Sequence, residues 1–248
     1  MLMRRLTPEN GKADLAEAYA YPPCLDRPWV RANMVASADG AATWEGRSGG
    51  LGGDADRHLF LYLRGLADVI LVGAGTVRAE GYGPARPHPS WEGLRTGRPE
   101  TPAIAIVSRS LDLDFTAPIF TEAAPDARTI VLTVRDADPD RLRAAREHAE
   151  VIQLGRAGCD FASAFERLAG MGHRRVLCEG GPHLLAQVAA AGMLDELCLT
   201  VSPVLASGNA PRVLDGTVLP PAARLRLAHV IEDSDDAGFL FLRYVRSR

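Results

Sequence analysis

Three short segments carry residue types suited to holding a phosphorylated ligand. The first is Glu179-Gly-Gly-Pro182, which ends the apolar run Val176 to Cys178 ahead of a helix-compatible stretch over 184–191. Two glycines at a strand-to-helix junction let the main chain approach a ligand more closely than any residue with a Cβ. The helix start behind them offers unpaired N–H groups and a positive dipole end, which favour a phosphate. The second is Gly73-Ala-Gly-Thr76, where a threonine hydroxyl joins the same kind of turn. The third is Ser108-Arg109, a hydroxyl and a guanidinium at a strand end. That pair suits a ribose phosphate, because arginine binds phosphate bidentately and keeps its charge. Any one of these segments alone reads equally well as a tight turn. The full G-x-G-x-x-G fingerprint is missing, and no Walker A loop is present. Together the three point to a dinucleotide carrying an extra phosphate.

The carboxylates placed for chemistry are Asp39, Asp56 and Glu179, with Asp39 and Glu179 the catalytic candidates. Asp56 reads first as an acidic residue serving the dipole of a first helical turn. His183, at a helix start, is either solvent-facing or a ligand contact. Nucleophilic catalysis has little support, since there is no G-x-S-x-G elbow. The six histidines and four cysteines show no ligand-like spacing, so no metal site is expected.

The elements that must position these residues alternate between strand and helix. A short helix over Leu15 to Tyr19 lies in an N-terminal extension, residues 1–28, which also holds Lys12, the only lysine. Strands are expected at Val30 to Ala36, Asp68 to Val72, Ala103 to Val107, Thr129 to Thr133, Val151 to Leu154, Val176 to Cys178 and Glu196 to Val201. A helix capped by Asp54 puts Leu59, Phe60, Leu63, Leu66 and Ala67 on one face, behind a flexible glycine-rich segment over 47–53. Further helices are expected over Pro139 to His148, Phe161 to Gly170 and 184–191, and residues 81–101 read as an irregular loop. Arg224 to Ile231 and Gly238 to Val245 alternate apolar and polar residues around Asp233-Ser-Asp-Asp236, the pattern of an antiparallel hairpin. The fold class is therefore α/β: a mixed, mostly parallel sheet with helices on both faces and a C-terminal antiparallel hairpin. Residues 29–248 form one domain.

A net charge of −3 gives no electrostatic case for nucleic acid or an anionic membrane. No stretch approaches the roughly 20 apolar residues of a membrane span. Met1 to Leu6 lacks the apolar core of a secretory signal, so a cytoplasmic location is expected.

The chain resembles the reductase domain of bacterial riboflavin biosynthesis, the pyrimidine reductases of the dihydrofolate-reductase-like superfamily. The resemblance runs from about Trp29 to the C-terminus. It is carried by Ser37-Ala-Asp-Gly40, Leu63-Arg64, Asp68-Val-Ile-Leu-Val-Gly-Ala-Gly-Thr76, Glu179-Gly-Gly-Pro182, Leu194-Asp-Glu-Leu197 and Val201-Ser-Pro-Val204. It implies a dihydrofolate-reductase-like three-layer fold, NADPH as hydride donor and 5-amino-6-(5-phosphoribosylamino)uracil as substrate. Gly73, Gly75, Thr76, Ser108, Gly180, Gly181 and Pro182 would hold the cofactor, with Arg109 on the adenosine 2′-phosphate. Ser37, Arg86 and Glu179 would face the substrate. A homodimer is implied as well, with Phe239-Leu-Phe-Leu242 either pairing across a two-fold axis or lying buried in a monomer. The zinc deaminase domain fused to many relatives has no counterpart in residues 1–28, which implies a stand-alone reductase. Gly49-Gly-Leu-Gly-Gly53 stands where family members often have a polar or aromatic residue after the serine near position 48, and Glu80 to Arg86 replaces an Asp-x-Pro loop. These departures leave open a dihydrofolate- or dihydropterin-type reductase, or a nucleotide-binding module without catalysis.

Overall fold

Short apolar runs bounded by glycine and charge give this chain its strands. The computed structural model describes residues 13–156, 158–219, 221–233 and 238–247. Among them are nine strands: Trp29–Ser37 (β1), Val69–Gly73 (β2), Ala103–Val107 (β3), Ile130–Thr133 (β4), Glu150–Gln153 (β5), Arg175–Cys178 (β6), Glu196–Ser202 (β7), Leu225–Glu232 (β8) and Leu240–Arg246 (β9). The helices are Leu15–Ala18 (α1), Asp54–Leu66 (α2), Ala74–Glu80 (α3), Pro118–Thr121 (α4), Pro139–His148 (α5), Phe161–Gly170 (α6) and Pro182–Ala190 (α7).

One sheet holds all nine strands in the order β5-β4-β3-β2-β6-β1-β7-β9-β8. The first seven in that row run parallel, while β9 is antiparallel to both β7 and β8. Residues of β2 show why the sheet has three layers. Val69 and Leu71 pack on one side with Phe165, Leu168, Leu185 and Val188 of α6 and α7. Ile70 and Val72 pack on the other with Leu59 and Leu63 of α2 and Val77 of α3. Helices α2, α3 and α5 cover one face during the outward run β1 to β5. The returning α6 and α7 cover the opposite face, as right-handed crossovers require when the direction of winding reverses. All seven parallel strands thus end at one edge, with the reversal beside β1, β6 and β2, where open α/β sheets bind ligands.

Several expectations need correction. The cap of α2 is Gly53, not Asp54, which is the first helical residue. The glycine run before it is packed: a Cβ at Gly52 would lie 2.8 Å from Asp56 Oδ2, and one at Gly53 2.8 Å from the Phe239 ring. The 81–101 segment is pinned to the end of α2. Arg95 Nη1 donates to the Gly65 and Ala67 carbonyls, Arg98 Nη1 to Leu66 O, and Trp91 Nε1 to Leu61 O at 2.6 Å. Cationic side chains at a helix C-terminus satisfy the last carbonyls and oppose the dipole. Strand β9 is hydrogen-bonded on both sides, Phe241 within it and Phe239 just before it pack in the core, and the free edges of the sheet are β5 and β8.

The segment before β1 is docked on the sheet. Tyr19 is fully buried, and Arg27 pairs with Asp195 at 2.5 Å. Arg31 and Arg243 donate to the Tyr19 and Ala18 carbonyls and share the buried Glu196 carboxylate at 2.6 and 2.9 Å. Burial opposes ionisation of Glu196, yet the two guanidinium groups hold its pKa below the usual range. Lys12, Met1 to Leu6 and positions 234–236 of the hairpin turn lie outside the described residues.

Candidate functional site

Two clefts open along the carboxyl edge of the sheet, and Thr76 lines both. The first, of about 680 Å³, lies over the ends of β2, β3 and β4 and the starts of α3 and α7. Helices α1, α5 and α6 begin with an aspartate whose side chain accepts from their first N–H groups. In contrast, α3 and α7 begin at Gly73 and Gly181 with no side-chain cap. Their N–H groups therefore remain for a ligand. Gly73 N donates to Gly180 O at 2.8 Å, which ties the two turns together. A Cβ at Gly181 would lie 2.6 Å from Thr76 Oγ1, so the close approach there requires glycine. Two hydroxyl oxygens, Ser108 Oγ and Thr133 Oγ1, are buried at this cleft without a hydrogen-bond partner. Buried polar atoms left unsatisfied are uncommon and call for an occupant. The residues fit the phosphates and ribose of a dinucleotide.

The second cleft, of about 570 Å³, lies between β1, the start of α2 and the end of α3. Its lining includes Asn33, Asp56, Arg57, Phe60, Arg64, Tyr82 and Glu179. Asn33 Oδ1 is buried and unpartnered. Burial raises the pKa of Asp56, with the Thr200 hydroxyl opposing it by donating to the carboxylate. Arg64 stacks over Phe60 at 4.3 Å and forms a fork with Glu179, Nε to Oε1 and Nη2 to Oε2 both at 2.7 Å. Tyr82 donates to the same carboxylate at 2.8 Å. Burial and then Glu179 push the Tyr82 pKa well above its ordinary value, so the phenol stays protonated. Glu179 thus stands in the wall of this cleft with both carboxylate oxygens bound.

Of the residues singled out from sequence, Gly73, Gly75, Thr76, Ser108, Arg109, Gly181 and Pro182 line the first cleft together. Gly180 does not line it. Its φ is +86° and its carbonyl is the one that joins the two turns. Glu179 lines the second cleft, with both oxygens engaged as above. Ser37 and Asp39 line neither cleft. Ser37 Oγ donates to Asp39 at 2.5 Å and accepts from Ala41 N, while Asp39 accepts from Ala206 N and Ser207 N. These bonds, the Ser37 hydroxyl foremost, lower the Asp39 pKa to about 2, so it anchors the loop after β7 as a permanent anion. Arg86 is exposed and pairs with Glu122 outside both clefts. Asn33 and Arg57 are not singled out from sequence, Phe60 is placed there on the apolar face of α2, and Asp56 is counted among the carboxylates for chemistry but read first as a dipole partner. Only pairing of β1 with β6 and β7, and docking of α2 above them, brings these four to one cavity.

The model of the family described as the RibD C-terminal domain matches residues 28–239. The 2,5-diamino-6-ribosylamino-4(3H)-pyrimidinone 5′-phosphate reductase of Archaeoglobus fulgidus is 30% identical over 77% of this chain and 87% of its own length. The protein of the same name from Methanothermobacter thermautotrophicus is 28% identical over 76% and 83%. The crystal structure of a pyrimidine reductase-like protein from Corynebacterium diphtheriae superimposes with a TM-score of 0.82 at 29% identity, covering 94% of this chain and 98% of that one.

Proposed function

The chain belongs to the RibD C-terminal domain family, and from that membership we propose an NADPH-dependent reductase of a ribosylaminopyrimidine phosphate in riboflavin biosynthesis. The reading rests on one observation above others: a half-buried carboxylate and an unpartnered amide oxygen share a cleft that meets the open helix starts at Thr76.

A 2-amino-4-oxopyrimidine presents two adjacent N–H donors, at N3 and the 2-amino group. Ionised Asp56 accepts both as a charge-assisted pair, and Asn33 Oδ1 accepts a further N–H. A uracil ring carries an oxygen where the 2-amino group stands, and that oxygen faces the carboxylate with repulsion. The preferred substrate is therefore the 2,5-diamino form named for the relatives, ahead of the aminouracil. Phe60 offers an apolar wall to the ring. Among the described residues the Arg57 guanidinium has no partner, which leaves it for the ribose phosphate at the mouth of the cleft. The bound cofactor supplies a hydride. The protein contributes position and exclusion of water, held by the Arg64–Glu179–Tyr82 wall and the two glycine turns.

The same carboxylate suits the 2-amino-4-oxo edge of a dihydropterin, and this favours dihydropterin reduction as a second reading. Unpaired Arg57 argues for the phosphorylated substrate. NADPH oxidation measured with diaminopyrimidinone phosphate, aminouracil phosphate and dihydrofolate separates them. The diamino form should be fastest, and Asp56→Asn should cost about 10–100-fold on it, the worth of a charged hydrogen bond. No turnover of either pyrimidine at high enzyme concentration would reject the proposal.

A further inference from the structure

The chain has three tryptophans, and two of them are built into its core. Trp29 and Trp91 are 8% and 6% exposed, and their indole N–H groups donate to Glu196 and to Leu61 O. Trp44 is 42% exposed, and among the described residues its indole N–H has no hydrogen-bond partner. A single apolar side chain at the surface needs no special account. The place of this one does.

Trp44 stands on the rim of the second cleft. Trp44 N donates to Arg47 O at 2.9 Å, and Arg47 N returns a bond to Trp44 O at 3.0 Å. Between them Glu45 and Gly46 have φ of +50° and +79°, the two-residue turn that matches the twist of a hairpin. Both legs of this small hairpin are anchored. Ala42 N donates to Pro211 O at 2.8 Å, while Ser48 N and Oγ donate to Glu80 at 2.9 and 3.0 Å. Ala42 on one leg and Ser48 and Gly49 on the other line the second cleft. The indole lies along the glycine run: a Cβ at Gly50 would sit 3.4 Å from Trp44 Cβ and 3.7 Å from its Cγ. A Cβ at Gly49 would meet nothing within 4 Å. Residues 49 and 50 thus put no side chain between the indole and the cleft.

The cleft has aromatic walls but no aromatic cover. Its two lining rings, Phe60 and Tyr82, flank the Arg64 guanidinium at 4.3 and 5.5 Å from their centroids. A flat heterocycle bound between them leaves one face toward the mouth, and hydride transfer beside that face requires water to be kept out. We propose that Trp44 closes the substrate cleft, its indole swinging from Gly50 onto the outer face of the bound aminopyrimidine. This rests on the reductase reading above. The swing uses the side-chain torsions of Trp44 alone, so the anchored legs stay in place. An indole offers a large flat face for offset stacking on such a ring, and bare main chain at two glycines leaves its path open.

Because Trp29 and Trp91 are buried, quenching of tryptophan fluorescence by acrylamide reports on Trp44. Wild-type protein should show a readily quenched fraction that Trp44→Phe lacks. Saturation with the ribitylaminopyrimidine phosphate product, which binds without turnover, should protect that fraction. Trp44→Ala should raise KM for the diaminopyrimidinone phosphate about fivefold or more, the worth of stacking a base on an aromatic side chain. The same variant should lower kcat, yet keep the KM for NADPH and the melting temperature of wild type. Trp44→Phe should restore most of the lost activity, because a ring returns. A Trp44 still open to acrylamide in the product complex, or Trp44→Ala with wild-type KM and kcat, would overturn the closure and leave the reductase reading intact. Wild-type protein that neither binds the product nor turns over either pyrimidine would overturn both.

Discussion

Asp56, which lines the second cleft and is proposed above to hold the substrate, sets a cost on stability. Its pKa is raised, chiefly because burial removes water from the carboxylate. The charged form therefore costs the folded state at neutral pH, and this cost fades as pH falls through the folded pKa. Asp56→Asn should raise the melting temperature at pH 7, with the gain shrinking toward pH 4, while substrate affinity falls. Scanning fluorimetry across that range checks the sign, and a stability gain that grows on acidification would contradict it. Glycine choice is equally position-specific. Sequence marks Gly75 and Gly180 alike as cofactor residues, but Gly180 has φ +86° and a Cβ there would sit 3.2 Å from Met34 Sδ. A side chain at Gly75 meets nothing within 4 Å. Gly75→Val should keep stability within about 0.5 kcal/mol and raise the NADPH Kd more than tenfold, since the new methyl groups occupy the cleft. Unchanged affinity would remove the helix starts from the cofactor site.

At the scale of elements, the strands were legible because fully buried parallel strands read as continuous apolar runs. Ala103–Val107, Pro139–His148 and Phe161–Gly170 fall where the pattern puts them. What stayed hidden depends on distant partners. The 81–101 segment reads only as an irregular loop because its anchoring comes from arginines reaching the carbonyls of α2, which no local pattern encodes. Arg57, Asp56 and Asn33 converge only after sheet pairing. The N-terminal extension likewise reads as separate, while Tyr19 is buried and its carbonyl is bound by Arg31. Glu196 holds that assembly together. Glu196→Gln should destabilise the protein by about 3–5 kcal/mol, the penalty for leaving a buried cation unpaired, as read from urea denaturation. A loss below about 1 kcal/mol, the range of exposed ion pairs, would mean that water enters the cluster. We propose that residues 29–248 are the catalytic unit and that the preceding segment clamps its sheet.

For the whole molecule, the sheet leaves two free edges, β5 and β8, at which a second copy could pair. The β9 strand is paired on both sides, so association through Phe239 to Leu242 is blocked; of the two edge strands, β5 and β8, β8 is the longer and carries Leu227, 38% exposed. An uncovered edge strand is a template for pairing, and we expect a homodimer formed there. Light scattering should give twice the 26.6 kDa chain mass, and Leu227→Arg should give a monomer. A monomeric wild type would contradict this without touching the active site. No described helix is long and apolar enough to cross a membrane. The central claim is that two clefts joined at Thr76 pass a hydride from a dinucleotide to a phosphorylated aminopyrimidine. Mass spectrometry of the product made with NADPH carrying deuterium at both C4 positions of the nicotinamide tests it most directly. One deuterium should appear on the sugar carbon attached to the exocyclic nitrogen; a product with no label, or no product from well-folded enzyme, would contradict the account.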